Sequence, residues 1–308
     1  MDTDIEDIVA GMPGASRETL RKMLALLRQD AKLTPFTKMT WNQLQSPEGL
    51  NLDVANVEAA AQRRIPSLQV PPFVGSVHPT EHLTRQLDRL DRVWSLNSEA
   101  ACRTIVDAIL GEAVDTFYHG IMVDERPQED AMKVGRPLGR LRVFLEVDLE
   151  WRGPNKGATG IVDYLLGHGG GDDVDDVKKD SFLIAVEAKK EWPNSAIPQA
   201  IAGGGTLLRY RQKYGRSGPV FVILTNATLW NFYCIDDAGV VYGSGPDIVY
   251  SKETLPTILR WLRWFIMGAA VTSPRASTVN MTEEEKALVV TSLSTSCLKL
   301  WQEGKSVM

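Results

Sequence analysis

Apolar positions recur every three or four residues in some stretches of this chain and every second residue in others, and the two periods divide it. Leu20, Met23, Leu24 and Leu27 fall at helical spacing and predict a helix from Ser16 to about Arg28. Residues 34–80 show no period. Pro66, Pro71, Pro72 and Pro79 interrupt them, which predicts an extended connector with one short helix near Val54 to Arg64. The helical period returns over about Glu81 to Val93 and again over 98–118. In the second stretch Ser98 is a suitable N-cap, and Ile105, Ile109, Ala113 and Phe117 stack on one face.

The texture then changes. Val143 to Leu149 (VFLEVDL) alternates apolar and acidic residues, the signature of a half-buried strand. Turn-formers follow at Arg152 to Gly157, and Gly160 to Leu166 (GIVDYLL) completes an antiparallel hairpin. Beyond a Gly- and Asp-rich loop over 167–180, Phe182 to Ala188 (FLIAVEA) is nearly all apolar, as a strand covered on both faces is. A helix is predicted over Ile197 to Tyr214, strands over Pro219 to Thr225 and Leu229 to Ile235, and helices over Thr254 to Met267 and Thr282 to Gln302. This order predicts an α/β protein with a mixed sheet and helices on both of its faces. Residues 1–97 are expected to wrap, as a helical and extended region, a core formed by 98–308.

Composition narrows the class. Hydrophobic residues make up 44% and charged residues 24% of the 308, which excludes a mostly disordered chain. A net charge of -5 excludes a surface coated in positive charge, so contact with a polyanion would rest on a local basic patch. Cys102, Cys234 and Cys297 are far apart and form neither a zinc pattern nor a disulfide framework. The start of the chain, MDTDIEDIVAG, is acidic where a leader would be basic. Arg260 and Arg263 interrupt the apolar run at Leu255 to Val271, so a buried helix is expected there and no membrane span. A soluble, intracellular protein of the cytoplasm or nucleus is the expectation.

The candidate chemistry lies at strand ends. Asp163 stands inside the second hairpin strand and Glu187 near the end of the most apolar one. Alternation puts Lys189 on the same side as Glu187, with Ala188 facing away. If the strands pair, two carboxylates and the Ala188 carbonyl converge as hard oxygen ligands for Mg²⁺ or Mn²⁺. Charged groups at the end of an apolar strand are costly unless paired or metal-bound, which itself points to function.

The pattern Asp163, then Glu187-Ala188-Lys189, resembles the PD-(D/E)XK nuclease superfamily, with Gly160-Ile161-Val162-Asp163 as its first motif and Val162 where the eponymous proline would be. The resemblance covers about Glu99 to Asp236, and a fungal and oomycete effector-like branch is a looser likeness. It implies a restriction-endonuclease-like mixed sheet flanked by helices, with helical N- and C-terminal additions. It also implies Mg²⁺- or Mn²⁺-dependent cleavage of nucleic acid, DNA before RNA. Asp163, Glu187 and the Ala188 carbonyl would hold metal, and Lys189 would act in the transition state. Glu112 would supply the acid from the preceding helix, and Gln199 the glutamine from the following one.

Gly203, Gly204 and Gly205 lie just beyond Gln199, and three glycines weaken a helix by roughly 1 kcal/mol each. A helix starting after them, or broken there, is expected. Arg209, Arg211, Lys213 and Arg216, interleaved with Tyr210 and Tyr214, form the densest basic-aromatic patch, which reads either as a phosphate-contacting face or as solvated helix charges.

Other groups fit structural roles better. Glu146, Asp148 and Glu150 are expected on the solvent side of their strand, and Asp172, Asp173, Asp175 and Asp176 in an acidic loop. His119 is a helix-end histidine, while His78, His82 and His168 lack metal spacing. Trp261 and Trp264 belong in a core. The alternative function is a binding module that keeps this fold without the chemistry, with a protein partner docked on the N-terminal helices or on the Trp-rich helix. Residues 1–30 are vaguely similar to ubiquitin-associated modules.

Overall fold

The computed structural model describes residues 32–55, 57, 67–95, 97–119, 141–153, 155–168, 181–191, 195–273 and 281–303. The helix expected at 16–28, the acidic loop at 172–176 and most of the short helix at 54–64 lie outside them. The side chains of His119 and Cys297 lie outside them too.

The hairpin of β2 (Leu141–Arg152) and β3 (Lys156–His168) opens an eight-stranded mixed sheet. On the far edge of β3, β4 (Phe182–Ala188) pairs antiparallel with Tyr164–Gly167. Lower down the same edge, β1 (Lys32–Pro35) pairs parallel with Lys156–Thr159. Next come β5 (Val220–Thr225), parallel to β4, and β6 (Leu229–Ile235), antiparallel to β5. The short strands β7 (Val241–Gly243) and β8 (Ile248–Val249) share the last edge of β6. The parallel β4–β5 step requires a crossover, and one helix supplies it: α4 (Ala196–Lys213), the fourth in chain order after α1 (Trp41–Gln45), α2 (Glu81–Val93) and α3 (Glu99–His119). Two more, α5 (Leu255–Thr272) and α6 (Glu283–Glu303), follow the sheet.

Every residue of β4 and β5 is buried, because each face of the sheet carries its own apolar layer. One layer joins α2, α3, α5 and α6 to Ile184, Val186, Phe221, Ile223 and Phe232. There Phe221 stacks on Phe265 at 4.5 Å and Phe232 on Trp261 at 5.1 Å, with Trp264 wholly buried, so the paired tryptophans are core. Arg260, which breaks the apolar run of α5, turns Nη2 to the Pro71 carbonyl at 3.1 Å and ties the proline-rich connector to that helix.

The other layer is α4 with residues 36–57, packed on Val162, Leu165, Ala185, Val222 and Ile235. The N-terminal region contributes the strand β1 and, with α4, the apolar cover of this face of the sheet.

Here the three glycines have a different role from the one expected. The helix runs through them unbroken, because their small size lets it lie against the sheet. A Cβ on Gly204 would stand 2.2 Å from Val222 Cγ2, and one on Gly205 2.7 Å from Leu52 Cδ1. The contact that requires glycine outweighs the propensity that disfavours it.

Candidate active site

β3 and β4 pair only as far as Tyr164↔Val186. Beyond that point they part, and the Asp163 side chain bridges the gap: its Oδ2 accepts the Ala188 N–H at 2.7 Å. On its other edge β4 continues to pair with β5, where the Lys189 N–H donates to the Thr225 carbonyl at 2.8 Å. Backbone groups alternate edges along a strand, so the Ala188 carbonyl, like its N–H, faces the gap on the Asp163 side.

The hairpin turns over at this level. Leu141 and Val143 face the α3 layer, whereas Val147 and Leu149 face the α4 layer; Leu166 and Tyr164 likewise face α3, and Val162 and Ala158 face α4. Between them stand Glu146 and Asp163, flanked by the pairs Leu145↔Tyr164 and Val147↔Val162. Glu146 takes a left-handed backbone with φ of 52°. Such a conformation on a non-glycine residue is a local strain of the kind that clusters at functional sites.

Glu187 follows Ala185 onto the α4 face of β4, and there it meets the first turns of α4. Gln199 Nε2 donates to Glu187 Oε1 at 2.5 Å, and Lys189 Nζ reaches the same oxygen at 2.5 Å. Asp163 and Glu187 are 7% and 3% exposed. Burial, reinforced by the Asp163 charge, pushes the Glu187 carboxyl up to about 7 despite Lys189. Burial also raises Asp163, against the opposing pull of the Ala188 N–H, Arg103 and Lys189. Lys189 is held above its ordinary value as well: burial works against its charge, but Glu187 and Asp163 more than compensate. Burial is thus the first cause of both raised carboxyls, and the two acids keep the proton on Lys189.

The helix side of the site differs from expectation. Glu112 does not join it. Thr80 N–H donates to Glu112 Oε1 at 2.8 Å and Thr80 Oγ1 to Oε2 at 3.0 Å, so this carboxylate fixes the N-cap of α2 to α3. The group that does reach Asp163 is Arg103, nine residues and about 13 Å of helix away from Glu112. Arg103 Nη2 donates to Asp163 Oδ1 and to Glu99 Oε1 at 3.1 Å, and Nη1 to Glu146 Oε1 at 2.8 Å. Glu112→Ala is expected to cost about 1 kcal/mol through loss of this cap contact. Its denaturant midpoint should fall while its divalent-cation affinity, read by calorimetry, equals that of wild type.

The basic patch also needs correction. Arg211 is fully buried and donates from Nη2 to the Ser217 carbonyl at 2.8 Å. Arg209 directs Nε and Nη2 to the Leu50 and Asn51 carbonyls, both at 2.7 Å, and so clamps the N-terminal segment onto α4. Neither is a phosphate contact. Lys213 is exposed beside the Tyr214 ring and Arg216 is half-buried. From Gln199, Lys213 is fourteen residues away, about 21 Å of helix.

Among the described residues, no three or more His, Cys, Asp or Glu side chains stand together as a metal-holding group. Arg103 pairs with Asp163 and Lys189 with Glu187. The donor chemistry nevertheless suits a hard cation, since two nearly buried carboxylates and a backbone carbonyl come near one another where β3 and β4 part. Among the described residues, no helix is long and apolar enough to cross a membrane. No protein-family model matches the chain, and no curated protein matches it either.

Proposed function

We propose that this chain is a divalent-cation-dependent phosphodiesterase acting on nucleic acid, DNA in preference to RNA, on a PD-(D/E)XK scaffold. One observation carries the reading: Asp163, Glu187, Lys189 and Gln199 come together with the Ala188 backbone where β3 and β4 part. The element order supports it too, since α3, the β2–β3 hairpin, β4, α4 and β5 follow one another as the restriction-endonuclease-like fold requires.

In this reading Asp163, Glu187 and the Ala188 carbonyl hold Mg²⁺ or Mn²⁺. The bound ion supplies Lewis acidity toward the phosphodiester and acidifies the attacking water. Gln199 fixes the orientation of Glu187. Lys189 Nζ carries the positive charge that offsets charge building on the phosphate. The acid from the preceding helix is Glu99, in the first turn of α3 and joined to Asp163 through Arg103.

A second reading, a binding protein that keeps the scaffold without the chemistry, draws support from Arg103. That guanidinium already neutralises Asp163. Incubation of single- and double-stranded DNA and RNA with the protein in Mg²⁺, Mn²⁺ or EDTA separates the two. Cation-dependent cleavage of any substrate supports the enzyme, and intact substrates throughout support the binding protein.

A pH effect follows from Glu187 whichever reading holds. Its carboxyl sits at about 7 in the fold against an ordinary 4.5. The native state therefore binds more protons than the unfolded chain between those values, and its stability falls as pH rises through that window. Glu187→Gln lacks this penalty. In EDTA, its stability relative to wild type is expected to improve by on the order of 2 kcal/mol from pH 4.5 to pH 7. Denaturant titrations at the two pH values check this.

A further inference from the structure

Three carboxylates from three elements converge on one guanidinium. Arg103, on α3, holds Glu99 one turn before it, Glu146 of β2 and Asp163 of β3. The two oxygens of Asp163 are both engaged, Oδ1 by Arg103 and Oδ2 by the Ala188 N–H. Each oxygen keeps a second lone pair, but a cation at Oδ1 would stand beside the Arg103 guanidinium, and the two like charges repel. The Ala188 N–H belongs to a fully buried strand and cannot move alone. The Arg103 side chain, 27% exposed, has solvent to move into.

Arg103 faces two acids besides Asp163, so on leaving Asp163 the guanidinium stays compensated by Glu99 and Glu146. The strained backbone of Glu146 stands opposite Asp163 in the hairpin, where its side chain anchors Arg103 from the β2 side.

We infer that Arg103 is a displaceable counter-ion: it closes the site by pairing with Asp163, and a divalent cation enters only as that guanidinium leaves. This rests on the cation site proposed above and adds how the site opens. Cation binding is then an exchange of one positive group for another, weaker than the bare carboxylates would give. Without the cation, Arg103 keeps the buried acid compensated and the splayed strands together. Glu146 and Glu99 hold the guanidinium from the β2 and α3 sides.

Calorimetric titration of the full chain with Mn²⁺, paired with thermal unfolding in EDTA and in saturating Mn²⁺, tests the exchange. Arg103→Gln should bind Mn²⁺ about tenfold more tightly than wild type, about 1.4 kcal/mol. It should melt lower than wild type in EDTA, with the gap closing when Mn²⁺ is added. Glu146→Gln, which loosens the guanidinium but leaves it in place, should shift affinity the same way by a smaller factor, and it carries the test if Arg103→Gln does not fold. Unchanged or weaker Mn²⁺ affinity in the folded variants, beside a wild type that binds, overturns the counter-ion role and leaves the cation site standing. No Mn²⁺ binding by wild type or any variant overturns the cation site and this inference with it.

Discussion

Under the proposed function, Lys189→Ala is expected to lower nucleic-acid cleavage by roughly 100- to 1000-fold, the loss typical when one preorganised charge-stabilising group is removed from a water-poor site. The lysine touches Glu187 at 2.5 Å and is 22% exposed, so its charge acts where solvent screening is weak. Removing it deletes a cation from a cluster with excess negative charge. At the proposed cation site, affinity for Mg²⁺ or Mn²⁺ should therefore be retained or increased while turnover collapses. Single-turnover cleavage rates with calorimetric cation titration separate the two effects. Parallel loss of binding and turnover would instead place Lys189 in a structural role.

Gly204→Ala destabilises the fold by about 1–3 kcal/mol. Its new methyl would lie 2.2 Å from Val222 Cγ2 and 3.1 Å from Ile235 Cδ1, inside the layer between α4 and the sheet. Val222 cannot rotate away easily, since β-branched side chains have few rotamers and every residue of β5 is buried. Gly111→Ala, on the exposed side of α3 with nothing within 4 Å of the added methyl, is the control. It should stabilise by about 0.5–1 kcal/mol, the ordinary gain of alanine over glycine in a helix. Denaturant midpoints of opposite sign for two Gly→Ala changes in helices would establish that α4 is held by close approach to the sheet. A stabilising Gly204→Ala would contradict that packing.

Much of this fold was legible in the chain because burial leaves a strong pattern. The runs at 182–188 and 229–235 are nearly all apolar or aromatic, and they form β4 and β6 over the same residues. The helix expected from Glu81 to Val93 is α2, with Thr80 as its cap. The hairpin reached further than its alternating stretches suggested. Its register continues to Leu141↔His168 at one end and Arg152↔Gly157 at the other, because pairing sustains strands past the point where burial patterns them. The strands β1, β7 and β8 have four, three and two residues, too few to show any period, and they exist through their partners.

The site divides along a similar line. That Asp163, Glu187 and Lys189 could come together was readable because charged groups beside apolar strands are conspicuous, whereas Gln199 came from the family resemblance. The choice of helix acid was not, since it depends on how far α3 slides along the sheet. Glu112 follows an apolar face as a functional acid might, yet it meets Thr80. Glu99 and Arg103 look like an ordinary surface pair spaced by one turn, and only the tertiary fold brings Asp163 to them. Glu146 alternates with Asp148 and Glu150 as a solvated strand face would. The reversal of the hairpin at that residue, with its left-handed backbone, has no signature in residue type. Arg209 and Arg211 illustrate the converse. Clustered with tyrosines they read as a phosphate-binding face, but their guanidinium groups satisfy carbonyls of neighbouring segments.

Cleavage of a mixed panel of single- and double-stranded DNA and RNA by wild type and Asp163→Ala, each in Mg²⁺, Mn²⁺ and EDTA, tests the central claim most directly. Cleavage by wild type alone, and only with a divalent cation, is the expected result. Cleavage that survives EDTA or persists in Asp163→Ala would contradict the account.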